Sequence, residues 1–274
     1  MQTFSKRRRN ALILTFLVTV VLVVFLWAYK QRLTSNSFVS GWILFAIMLV
    51  LCAYNLRKKV SFLPLLRSAT WLQIHLYLGL ITIVIFGMHV GLRVPNGNLE
   101  TIITVLYVIV AGTGLIGLFL TRTFPQRLTV RGEEVLFERM PVYRRNLNER
   151  AEKLVFDAVT ETNTTTLADY YKLRLATFFS RFRNYWHHLF ESKRPRHVFA
   201  TEFNDLDRYL NDREREIVRE LSELVYIKDD LDYQHALQKT LKGWLYVHIA
   251  ATYSLMIFVV THIIVVHAFV GGSR

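Results

Sequence analysis

Long apolar runs separated by short polar connections fill the first part of this chain. A long segment of mixed character follows, and one further apolar run closes the pattern. The runs cover residues 11–29, 38–54, 71–92, 102–120 and 244–269. Each is close to the roughly 20 residues that carry a helix across a bilayer core. The 38–54 run is the shortest. The pattern predicts an all-α membrane protein with five transmembrane helices, and a mostly helical insertion between the fourth and fifth.

Three regions follow from that pattern. Residues 1–121 hold helices one to four, 122–242 form a cytoplasmic, mostly helical domain, and 243–274 hold helix five and an outer C-terminal tail. Within the insertion, "LTVRGEEVLF" (128–137) reads as a short hairpin around Arg131-Gly132. "NERAEKLVFDAV", "TLADYYKLRLATFFSRFRNYWHHLF" and "DREREIVRELSELV" space their apolar residues as helices do, the last after a cap at Asn211. "KDDLDYQHALQKTLKGW" is expected to carry a helix into the fifth span. The first run follows "SKRRRN", which raises a cleaved signal peptide. Its apolar stretch is long for one and no small-x-small site follows, so a retained anchor is the expectation.

Charge then orients the spans. The chain carries a formal +13, which on its own invites a nucleic-acid reading. Residues 122–242, however, hold 22 basic and 20 acidic residues, against 12 basic and one acidic elsewhere. The excess therefore flanks the apolar runs, as orientation by cytoplasmic Lys and Arg requires. A basic nucleic-acid surface would be distributed otherwise, so no nucleic-acid partner is expected. Lys6, Arg7, Arg8 and Arg9, then Arg57, Lys58, Lys59 and Arg67, then Arg122, Arg127 and Arg131 mark the inner side. The N-terminus and 122–242 are expected in the cytoplasm and the C-terminus outside, so helices three and five run parallel. Cys52 is the one cysteine, which excludes a disulfide, a cysteine-ligated iron–sulfur cluster and covalently attached haem within this chain.

Two of the apolar runs share a pattern. "WLQIHLYLGLITIVIFGMH" (71–89) and "WLYVHIAATYSLMIFVVTH" (244–262) each place a His four residues after the Trp and a second His fourteen residues later. Fourteen residues turn a helix through about 1400°, leaving the two side chains roughly 40° apart in azimuth and about 21 Å apart along the axis. On parallel helices His75 lies level with His248, and His89 with His262. Two imidazoles at each of two depths suit two haems held from both sides, since haem iron needs only two axial ligands. Zinc wants three or four, and no cysteine or carboxylate stands beside these histidines. Gly79, Gly87 and Gly91 lie on the same helix, where a flat macrocycle needs backbone clearance; close helix packing uses such glycines too. A single intramembrane His is often a hydrogen-bonded packing residue, but two pairs at one spacing favour ligation.

The arrangement resembles the di-haem b-type cytochromes of energy-transducing membranes, the group that includes respiratory cytochrome b and the ferric-reductase-like proteins. The resemblance covers helices three to five. It implies two haems b, with His75 and His248 as iron ligands of one and His89 and His262 of the other. It also implies electron transfer across the membrane and leaves donor and acceptor open; the expectation is an integral protein of a bacterial inner membrane that passes electrons between a quinone pool or cytoplasmic donor and a partner redox protein. A cytochrome c or an iron–sulfur protein fits that partner role. Neither a flavin–nicotinamide domain nor the Pro-Glu-Trp-Tyr quinol motif of those relatives stands in these 274 residues. An electron-transfer subunit of an oxidoreductase complex is therefore expected, rather than a self-contained enzyme. Arg93 is the leading candidate to neutralise haem propionates on the outer side, with Lys242 and Arg67 as inner candidates. The competing class is a non-redox membrane anchor or scaffold whose cytoplasmic domain binds partners.

Other signals carry less. Gly112, Gly114 and Gly117 fit a dinucleotide fingerprint, but no strand precedes them and the run is apolar, so helix packing is the reading. His187 and His188 are adjacent and point apart on a helix. His197 and His235 have no partner at ligand spacing. His267, about 140° round from His262, faces another side near the outer edge, where it would serve a quinone if one binds.

Overall fold

The computed structural model describes residues 4–32, 36–59, 68–91, 93, 95–129 and 135–270. Ten α-helices follow along the described chain: α1 Phe4–Arg32, α2 Asn36–Lys59, α3 Ser68–Val90, α4 Asn98–Leu128, α5 Met140–Thr162, α6 Thr166–Tyr170, α7 Ala176–Ser180, α8 Tyr185–Leu189, α9 Arg194–Leu206 and α10 Asp212–Val270. A π-helical turn, Tyr171–Leu175, joins α6 to α7, and 3₁₀ turns precede α5 and follow α9. No strand occurs among the described residues.

Among the described residues, three helices are long and apolar enough to cross a membrane: Thr70–Val90, Asn98–Leu128 and Asp212–Phe269. Two shorter apolar helices cover Leu12–Ala28 and Phe38–Tyr54. By length and composition these are the helices of a membrane protein.

The chain divides into two compact units, residues 1–118 with 245–274, and residues 119–244. In the first, α2 packs along α3 and α1 packs against both. Leu26, Leu44, Met48, Ile81, Ile85, Tyr107 and Leu255 form its core. The pairs Leu44/Met48 and Ile81/Ile85 repeat at four residues, one face of each helix. Phe16, Ile257 and Ile264 are more than half exposed on outward faces, apolar side chains that water would penalise and hydrocarbon would not.

The second unit is built like a soluble domain. Met140, Leu147, Ala151, Val155 and Ala158 make one stripe of α5, and Ile217, Val218, Leu221, Leu224 and Val225 of α10 belong to the same core. At the start of α10 the side chain of Asn211 accepts from the Glu214 N–H at 2.8 Å, while Glu214 accepts from the Asn211 N–H at 3.0 Å. This reciprocal capping box satisfies two of the donors a helix start leaves open. Lys228 and Asp232 are fully buried one turn apart, with Nζ 2.7 Å from both carboxylate oxygens. Burial pushes the Asp232 carboxyl up to about 7 and the Lys228 amine down.

Two features depart from the sequence pattern. The run expected as one helix over 166–190 stops at Ser180; Arg181 is extended and Asn184 is left-handed at φ 58°. There the Arg183 N–H donates to Asp232, a contact from a distant element that no local pattern announces. The two helices expected after Asn211 are one, 59 residues and about 88 Å long. The turn expected at Arg131-Gly132 lies outside the described residues. Beside it, Val135 exchanges its backbone hydrogen bonds with the Gln234 and Gln238 side chains of α10.

Candidate functional site in the helical bundle

Helix α3 brings Trp71, His75, Gly79, Thr82, Phe86 and His89 to one face by steps of three and four residues. His75 points at α10. Its ring centroid lies 6.4 Å from that of His248, with the planes at 78°. Two imidazoles on opposite sides of one metal, each bonded at about 2.0–2.1 Å, place their centroids roughly 6.3 Å apart. The observed separation matches that span.

The surroundings of this pair are specific. Thr113 of α4 donates its hydroxyl hydrogen to the carbonyls of Ile109 and Val110 at 2.8 and 3.0 Å. Toward His248 Nδ1, 2.9 Å away, the same oxygen must then accept. With the hydroxyl hydrogen on either carbonyl, the proton of His248 sits on Nδ1 and the lone pair on Nε2, the tautomer a metal ligand needs. On the other side, the Tyr54 ring of α2 lies 5.2 Å from the His75 ring. His75 Nδ1 and Trp71 Nε1, one turn apart, are buried with no hydrogen-bond partner. Buried polar atoms left so are costly; the His75 side chain also meets the backbone of Leu51 on α2. Next along, a Cβ added at Gly79 would meet nothing within 4 Å, and the same holds at Gly112 of α4. The residues at this level therefore fit a flat apolar group held between two imidazoles. Among the described residues no cluster of three or more His, Cys, Asp or Glu exists, so the donor set here is the two-ligand one.

A second level lies further along the bundle. His89 Nδ1 shares a hydrogen bond with Ser40 Oγ at 3.1 Å, and a Cβ on Gly41 would come within 3.0 Å of the His89 ring. His267 lies against Phe38 and Trp42, with ring centroids 5.5 and 5.8 Å away. Helix α2 thus meets His75 near its C-terminal end, through Tyr54, and His89 and His267 near its N-terminal end. Because His248 touches His75, α3 and α10 run in the same direction. His262 is half-buried on α10. The structure does not bring His262 and His89 together as it does His75 and His248.

Between the levels, Tyr107 donates to Thr82 at 3.1 Å, Thr82 donates to the Gly79 carbonyl, and Phe86 stacks on Tyr107 at 3.8 Å. Sequence reasoning missed Ser40, Thr113 and Tyr107. A hydroxyl on an apolar helix ordinarily bonds back to its own turn, so its type gives no sign of a distant ring.

The remaining candidates fall elsewhere. Gly91, at φ 70°, closes α3 by donating to the Gly87 carbonyl at 3.0 Å, a left-handed cap that favours glycine. Arg93 is exposed just beyond it. Lys242, in the second unit, pairs with Glu138 and covers the Phe137 ring at 4.1 Å. Arg67 lies outside the described residues. Cys52 is half-buried on α2. His188 is buried near Asp229 at 3.6 Å, His187 is exposed, and His235 is stacked between Phe137 and Phe182 at 5.4 and 3.8 Å. Comparison with protein-family models, with curated proteins and with solved structures found no match to this chain.

Proposed function

We propose that this chain is a di-haem b-type cytochrome that carries electrons across a membrane. The reading has five membrane helices, with the N-terminus and residues 122–242 in the cytoplasm and the C-terminus outside, in a bacterial inner membrane. The observation that carries it is the His75–His248 pair, two imidazoles on different helices at 6.4 Å with one tautomer set by Thr113. His75 and His248 would hold one haem, and His89 and His262 the other. When bound, haem supplies a one-electron couple, and two axial imidazoles fill both of its open iron positions.

The protein's own residues do the rest. Thr113 keeps the Nδ1 proton of His248 in place and so aims Nε2 inward. Ser40 holds the His89 ring from α2, and Gly41 lets that ring approach the backbone. Gly79 keeps its side of α3 open, while Ile81, Ile85 and Leu255 keep water out between the levels. No hydride-carrier motif is recognised in the chain, so each end exchanges single electrons with a separate protein, such as a cytochrome c or an iron–sulfur protein, or with a quinone at the membrane edge.

An absorption spectrum of purified protein, with haem extraction, tests the reading directly. Two b-type haems per chain, reducible by a small chemical reductant, are expected. A colourless preparation overturns it.

A further inference from the structure

We infer that α8 is a membrane-surface anchor, whose exposed Trp186 and Phe190 insert among anionic lipid headgroups. The inference rests on the membrane reading above and adds a contact that the spanning helices do not make.

Helix α8 is tied to the places where two apolar helices become polar. Leu189 packs against the buried cluster that Leu120, Phe124 and Leu128 of α4 form with Tyr233 and Leu237 of α10. Arg127 of α4 donates to the carbonyls of His188 and Leu189 at 3.0 Å. Tyr185 shares a 2.6 Å hydrogen bond with Thr240, four residues before the apolar run opens at Trp244. Four residues of helix are about 6 Å, and the seven from Leu120 to Arg127 about 10 Å. The first falls within a headgroup layer, which adds roughly 5–8 Å to each side of the hydrocarbon, and the second ends just beyond it.

The outward side of α8 has the chemistry of that layer. Trp186 and Phe190 are 64% and 76% exposed, and their rings stack at 6.1 Å. Two large apolar rings in water at a spacing of one turn are costly unless something covers them. Around them residues 181–197 carry five Lys or Arg and one acid, Glu191. That acid is already paired with Arg127 at 2.7 Å, while Arg181, Arg183, Lys193 and Arg194 are exposed and in no ion pair among the described residues. Aromatic rings set among unpaired cations match an anionic lipid surface. The segment is also held in one shape. Left-handed Asn184 and Glu191 bracket it, and Glu191 bears φ 56° while its carboxylate bonds Tyr233 and Arg127. Such a conformation persists in a non-glycine residue only where its surroundings enforce it.

The test uses the full chain with Cys52→Ala, reconstituted in vesicles with and without anionic lipid. A nitroxide at His187→Cys reports collisions with lipid-soluble oxygen and with a water-soluble nickel chelate; labels at Ile116→Cys and Leu173→Cys mark the span and the aqueous side. In anionic vesicles the label at 187 should favour oxygen several-fold over that at 173. The preference should fall to the level of 173 when Trp186→Ser and Phe190→Ser are added, with helical content unchanged by circular dichroism. A label at 187 that matches 173 while 116 lies in lipid overturns the inference, as does one shielded from both reagents, which would mean a protein cover. A water-exposed label at 116 would instead overturn the membrane reading, and this inference with it.

Discussion

An imidazole grips a metal only through a nitrogen that carries no proton, and under the proposed function one hydroxyl, that of Thr113, makes that choice at His248. Thr113→Val keeps the shape of the side chain and removes the acceptor for Nδ1–H. The expected result is a haem at the His75–His248 level bound 10- to 100-fold more weakly, the usual cost of losing such support, read by titrating haem into depleted protein. Replacing His75 or His248 with Ala should remove that haem and leave much of the other; His89→Ala or His262→Ala should do the reverse. Haem content and reduced spectra decide between these outcomes. Loss of the same haem from His75→Ala and His262→Ala would contradict the common direction of α3 and α10.

At the scale of elements, the start of α10 and the ring stack around His235 further along it allow sharper tests. Asn211→Ala removes the side-chain half of the capping box, and a loss of about 1 kcal/mol of stability is expected by chemical denaturation. His235 is stacked between Phe137 and Phe182, and burial first, then Lys239, Lys228 and Arg144, lowers its pKa from 6.5 to about 4. Between these values the unfolded chain binds a proton that the folded one refuses, so stability falls as pH drops from about 6.5 to about 4. His235→Phe keeps a flat ring and should flatten that part of the profile in thermal unfolding at pH 7 and pH 5; an unchanged slope would show that His235 is not its source. The apolar runs made the helices legible in advance, and the fourteen-residue spacing singled out the histidines. What stayed hidden depends on remote partners: Asp232 receiving the Arg183 N–H, Gln234 and Gln238 replacing a strand partner for Val135, and Tyr107 bonding Thr82. None of these pairings leaves a periodic trace in sequence.

For the whole molecule, the proposed topology makes residues 140–230 inaccessible from outside intact cells. Cysteines introduced there should label only after the membrane is opened; strong labelling from outside would invert the orientation. Purified protein should also show no rapid haem reduction by a nicotinamide cofactor unless a flavoprotein is added, and the opposite result would locate a catalytic domain in 122–242. The 59-residue α10 has a further consequence, for evolution. Because one hydrogen-bonded ladder carries both His248 and His262, gaining or losing a single residue between them would turn one by about 100° relative to the other. Homologous chains should therefore keep the number of residues between these histidines and differ in length elsewhere. Between the two they should tolerate only changes near whole turns, such as seven residues, which leave the histidines about 20° from their original relative bearing.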